Sequence, residues 1–161
     1  MPDEETVERA REDEREGKSP STQAGEFVRE EMHHIREGKH GARSTKQAIA
    51  IGLSKARRAG VKLPPRGSAS AETARKAQRD IAKGRSRKKP SRTRSRAIAG
   101  VLKREGHQAA SRSALAEQAR SSARARGPAA RSRAAAKAVR TKGRAGLQRA
   151  ARKAARTRYR A

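Results

Sequence analysis

Large apolar side chains are scarce in this chain, and that scarcity limits its fold more than any other feature. The only aromatics are Phe27 and Tyr159, and much of the 32% hydrophobic content is alanine. Ordering a backbone costs about 1–2 kcal/mol per residue, which burial of large side chains must offset. Alanine buries little area. High charge combined with low hydrophobicity is the composition of segments that stay disordered or order only on binding. One packed domain over all 161 residues is therefore not expected.

Charge is sorted along the chain. Residues 1–37 carry 12 acidic and 6 basic side chains, residues 38–67 carry 8 basic and none acidic, and residues 68–161 carry 29 basic and 4 acidic. The net charge is +27. An acidic head joined to a long basic tail implies a polyanionic partner for the tail. There is no cysteine, hence no disulfide and no thiolate metal site. The opening MPDEETVERA is acidic and polar, unlike a secretory or transit signal. No apolar run approaches the roughly 20 residues of a membrane span. A cytoplasmic, nucleoid-associated protein is the resulting expectation.

The pattern predicts an all-α protein: a short helical hairpin and a largely disordered or nascent-helical Ala/Arg/Lys-rich tail, without an extensive core. Its parts are an acidic polar head at 1–18, a hairpin at 19–60, a Pro-rich linker at 61–69 and the basic tail at 70–161. Within the head, residues 3–16 read as a solvated, fraying helix with almost no apolar face. Ser19-Pro20 supplies a cap and a first-turn proline for the next helix, and Gly38 stops it. Phe27, Val28, Met32 and Ile35 fall near one face. A third helix follows Ser44, with Gln47 completing a capping box. Ile49, Leu53 and Ala56 form its stripe, and Gly60 caps it. Val61 to Pro65 is extended, because proline blocks helix at and before itself. In the tail, Ser70, Thr93 or Ser95, Ser111 and Pro128 read as helix starts, punctuated by Gly84, Gly106, Gly127 and Gly143.

The tail holds the candidate nucleic-acid contacts. One cluster is Arg85, Arg87, Lys88, Lys89, Arg92, Arg94 and Arg96, expected as an extended basic linker broken by Pro90. Arg131, Arg133, Lys137, Arg140, Lys142 and Arg144 come next, with Arg133, Lys137, Arg140 and Arg144 in one helical stripe if Gly143 does not break it. Arg149, Arg152, Lys153, Arg156 and Arg158 continue the series. Such stripes suit a phosphate backbone. A merely solvated face usually mixes signs, whereas Glu117 is the sole acidic residue after Glu105. Nothing marks sequence-specific readout: zinc-finger spacing, RNA-recognition aromatics and a G-x-x-G clamp are all missing. The RGRP-type core of a minor-groove hook is missing too.

His33, His34 and His40 lie near Glu30, Glu31 and Glu37. No HExxH pattern joins them, and adjacent histidines point to different helix faces, so they read as exposed polar residues and no metal is expected. No catalytic set and no phosphate loop stands out, so the expectation is a non-enzyme without cofactors.

Residues 28–60 carry a further pattern. Glu31-Met32-His33-His34-Ile35-Arg36-Glu37-Gly38-Lys39 is followed by Ser44-Thr45-Lys46-Gln47-Ala48-Ile49-Ala50-Ile51-Gly52-Leu53-Ser54-Lys55-Ala56-Arg57. This resembles a domain of unknown function in small bacterial basic proteins, with M-x-x-(F/I)-(K/R)-x-G and (S/T)-x-K-Q-A-I-A-I-x-L-S-x-A-R motifs. The resemblance covers about a fifth of the chain. It implies bacterial origin and frequent attachment to basic tails, but no activity. The family usually has Glu where Lys55 stands. The tail is similar in composition to the C-terminal domains of linker histones. Together these readings point to sequence-nonspecific binding and compaction of duplex DNA, with structured RNA or the ribosome as the alternative target. Residues 19–60 are left for self-association or a protein partner.

Overall fold

The computed structural model describes residues 2–64, 70–86 and 91–159, with side chains up to residue 156. The described residues form seven α-helices, one 3-10 turn and no strand. In order these are α1 (Glu4–Arg15), α2 (Pro20–Arg36), α3 (Thr45–Arg58), α4 (Ala71–Arg85), α5 (Arg92–Arg104), the 3-10 turn (Gln108–Ala110), α6 (Arg112–Ala125) and α7 (Gly127–Tyr159). The expected all-α class holds. The chain divides into two units, residues 1–116 and 117–161.

In the first unit the hairpin of α2 and α3 is the scaffold. Ser19 precedes the helix and Pro20 opens it, where its missing N–H costs nothing. Ser44 caps α3 by accepting from the Gln47 amide, and the Gln47 side chain in turn accepts from the Arg43 amide. Phe27 and Ile35 are fully buried and Met32 nearly so, as their spacing indicates. On α3 the deepest positions are small: Thr45, Ala48, Gly52 and Ala56. Ile49 and Leu53, expected at the centre of the stripe, lie at its flank, partly buried. The reason is close approach. A Cβ placed on Gly52 would lie 2.8 Å from Val28 Cα, so the two helices cross where only glycine fits.

Helix α1 departs from the sequence expectation of a solvated, fraying helix. It packs on α2, burying Thr6 and Ala10 beside Ala24, Phe27 and Ala56. Its apolar face is only Val7 and Ala10, too thin to register as a stripe, and polar contacts complete it. Arg9 Nε pairs with Glu26 Oε2 at 2.9 Å, and Lys18 Nζ pairs with Asp13 Oδ1 at 2.7 Å. Asp13 first, and then Glu16, hold the Lys18 ammonium above its ordinary pKa.

Helix α4 packs on α3 through Ala77, and Arg58 grips Asp80 through Nε at 3.0 Å and Nη2 at 2.9 Å. Gly84 does not end this helix. It sits inside α4, where an added Cβ would meet the Arg58 carbonyl oxygen at 2.6 Å. Residues 102–110 return to the hairpin. Gly41 donates to the Leu102 carbonyl and Ala42 to that of Gly106, while a Cβ on Gly41 would overlap Glu105 O at 1.9 Å. Ala109 and Ala110 then join the core formed by Met32, Ile35, Ala42 and Ala48. A clamp drawn from what reads as tail thus closes the hairpin. Alanines without periodicity gave no sign of it.

The second unit is helical up to Tyr159. Gly127 (φ 74°) separates α6 from α7, and Gly143 interrupts α7 at φ 61°, ψ 176°. No described helix is long and apolar enough to cross a membrane.

Candidate nucleic-acid interface

Alanine and arginine favour helix strongly, which accounts for the helical segments between the breaks at Gly127 and Gly143 over 112–159 despite their charge. Arg131, Arg133, Lys137, Arg140, Lys142, Arg144, Arg149, Arg152, Lys153 and Arg156 are all exposed. Arg158 lies in α7, but its side chain falls outside the described residues. The stripe through Arg133, Lys137 and Arg140 is present on the first segment of α7. It does not continue to Arg144 on one helical face, because the backbone turns out of helix at Gly143. Arg149, Arg152, Lys153 and Arg156 belong to the second segment. Residues 117–161 hold 15 Lys and Arg against Glu117 alone.

The first cluster needs correction. Arg85 is the last residue of α4, and Arg92, Arg94 and Arg96 stand in the first two turns of α5, all exposed. They are helical rather than extended, because Ser91 caps the helix by accepting from the Arg94 amide. Thr93 and Ser95, the alternative starts that the sequence offers, lie inside it. Arg87, Lys88, Lys89 and Pro90 lie outside the described residues. Arg92 and Arg96, four apart, share a face. Ile98 and Val101, one and two turns beyond Arg94, are 61% and 48% exposed.

The acidic groups of the first unit are used differently. Glu30 and Glu31 are buried at the α2–α3 crossing, where Lys55 Nζ reaches Glu30 Oε1 at 3.0 Å and Glu31 Oε2 at 2.8 Å. Burial alone would lower the Lys55 pKa. Ion pairing with Glu31 and Glu30 outweighs it, and the ammonium is held above its ordinary value. His34 and His40 close on the same carboxylates: His40 Nε2 lies 3.3 Å from Glu31 Oε1, and His34 Nδ1 lies 3.9 Å from Glu30 Oε1. Asp3 Oδ2 reaches His34 Nε2 at 3.2 Å. His34, expected as exposed, is therefore buried, and His40 half-buried; His33 does stand in solvent. The i to i+4 spacing of Glu30 and His34 was the available sign. The approach of His40 and Lys55 depends on the hairpin and had none.

Neither curated proteins nor solved structures include a match to this chain. A family model does match one segment, which spans α2 and α3 and includes the 28–60 stretch with the quoted motifs. Residues 19–67 carry a domain of a family of unknown function, DUF6496.

Proposed function

We propose that the protein binds duplex DNA through its phosphates, without sequence preference, and compacts it as a histone-like, nucleoid-associated, non-catalytic factor. The observation that supports this most is the one-sided charge of residues 117–161: every described Lys and Arg there is exposed, and one glutamate opposes 15 cations. Successive cations four apart on α7 rise by about 6 Å, while duplex DNA presents a charge about every 1.7 Å of axis. Each side chain has several phosphates in reach in any sequence, so contact is dense and register is free. In the first unit, the exposed Arg85, Arg92, Arg94 and Arg96 offer further cations of the same kind. Repulsion between these cations weakens the isolated helices, and a polyanion relieves it, so the tail gains order on binding. The hairpin at 19–60 is the part available for self-association or a protein partner.

Fluorescence anisotropy of labelled duplex DNA, with the full chain and with residues 1–116, tests this. The full chain should bind mixed sequences alike, with log K falling against log salt at a slope near −0.9 per phosphate neutralised and about 6 or more phosphates involved. Residues 1–116 should bind far more weakly. A shallow slope, or preference for one sequence, would refute the reading. Displacement by structured RNA at much lower concentration than by duplex DNA would assign the tail to RNA instead.

A further inference from the structure

The buried cluster at the α2–α3 crossing is independent of the basic surface and has its own chemistry. Glu31 is fully buried, yet neither of its carboxylate oxygens accepts a well-directed hydrogen bond. Lys55 supplies charge on the Oε2 side at 2.8 Å. On the Oε1 side the one ionisable partner among the described residues is His40 Nε2, at 3.3 Å. His40 Nδ1 lies 3.1 Å from the Gly41 carbonyl, which can only accept, so Nδ1 carries a proton and Nε2 is the ring atom turned toward Glu31. Glu31 Oε1 and His40 Nε2 thus converge as two donor atoms that a single shared cation, a proton or a metal ion, can join. His34 shows the same arrangement: Asp3 accepts from Nε2 at 3.2 Å, which leaves Nδ1 on the side of Glu30.

We infer that Glu31, His34 and His40 form a binding site for a divalent transition metal of the zinc class. One ligand atom from each of the three lies within 4.8 Å of the others. Ligand atoms of a tetrahedral zinc ion, with bonds of about 2.0–2.1 Å, stand about 3.3 Å apart, which is the His40 Nε2 to Glu31 Oε1 separation. Imidazole and carboxylate together select zinc-class ions over magnesium or calcium. Both imidazoles already have the outer partners that orient metal ligands, a carboxylate for His34 and a backbone carbonyl for His40. The role is structural. The ion ties α2 to the loop before α3 and, through Asp3, to the start of the chain, in a unit with few large apolar side chains.

The test uses the full chain, stripped with a chelator and titrated with Zn2+ by calorimetry and with Co2+ by visible absorption. The expected result is one Zn2+ per chain, a midpoint of thermal unfolding raised by about 10 °C at a hundredfold excess over Kd, and the intense Co2+ bands of a four-coordinate site. His40→Asn and His34→Asn should lose all three, while His33→Asn, altering a side chain 61% exposed, should keep them. Zn2+ uptake equal in wild type and His40→Asn, or no Zn2+-dependent shift in wild type, overturns the assignment. If His40→Asn fails to fold by circular dichroism, the wild-type Co2+ spectrum decides: weak six-coordinate bands refute the site.

Discussion

The hydroxyl of Thr45, in the first turn of α3, donates a 2.7 Å hydrogen bond to the carbonyl of Ala109, 64 residues further along the chain. Arg36 Nε does the same for Ala110 at 2.9 Å. Both carbonyls belong to the 3-10 turn, where no helix satisfies them, and both alanines are buried. Thr45→Val removes the donor, keeps the shape and leaves the Ala109 carbonyl without its partner. A loss of about 1–3 kcal/mol is expected. Urea unfolding measures it, and hydrogen exchange at 107–111 should quicken more than at α1.

Two glycines in the hairpin should respond oppositely to alanine. Gly52 faces backbone atoms of Val28 and Phe27 at 2.8 and 3.0 Å from a Cβ, and backbone cannot swing aside. Gly52→Ala is expected to destabilise by about 1–3 kcal/mol. Gly25, inside α2, has nothing within 4 Å of its Cβ position. There the usual preference of a helix for alanine applies, and Gly25→Ala should stabilise by up to about 1 kcal/mol. Thermal melts of the pair check the crossing directly.

Lys55→Met would leave Glu30 and Glu31 buried without their ammonium. Breaking a buried ion pair from one side costs about 3–5 kcal/mol, somewhat less here because the Lys55 side chain is 21% exposed. Adding Glu30→Gln and Glu31→Gln should recover most of the loss in urea midpoint.

Gly143 adopts φ 61°, ψ 176°, a region open almost only to glycine. Gly143→Ala cannot hold it, and alanine prefers helix. The variant should show greater ellipticity at 222 nm, with Arg133, Lys137, Arg140 and Arg144 joined in one stripe. Ellipticity unchanged in salt and on DNA would count against this.

Charge on α1 offers a test of competition between head and tail. Deleting residues 1–18 would raise DNA affinity if the acidic head screens the tail, but α1 also covers Phe27, so truncation disturbs the core. Glu4→Gln, Glu8→Gln and Glu12→Gln alter exposed positions only. Together they should tighten DNA binding at low salt, and the gain should vanish as salt rises.

The hairpin was legible because its signals are local. Pro20 marks a first turn although the Ser19 side chain makes no cap hydrogen bond, Ser44 with Gln47, Gly38 and Gly60 mark ends through caps, and Phe27, Met32 and Ile35 repeat at helical spacing. The rest depended on tertiary contact. Ala109 and Ala110 matter for where they land, which no periodicity in their own segment encodes. Helix α1 is held by ion pairs of ordinary surface residues and a thin apolar face. Gly52, Gly84 and Gly41 are needed for what they touch, and a glycine in a sequence reads first as a turn. In the tail the charge pattern was plain, and Ser91 rather than Thr93 capped α5 because its hydroxyl meets the first free amides. His34 and His40 stand six residues apart across a helix end, so their meeting is a property of the loop between them.

The long span from Thr45 to Ala109 also sets an order in time. At about 5–20 residues per second, synthesis delivers the clamp several seconds after α3. During that interval α1, α2 and α3 are free to pack, while the seat for Ala109 and Ala110 stays open beside Met32 and Ile35. The growing chain therefore passes through a stage in which its apolar seam is uncovered, and the sealing piece arrives just ahead of the cationic arm.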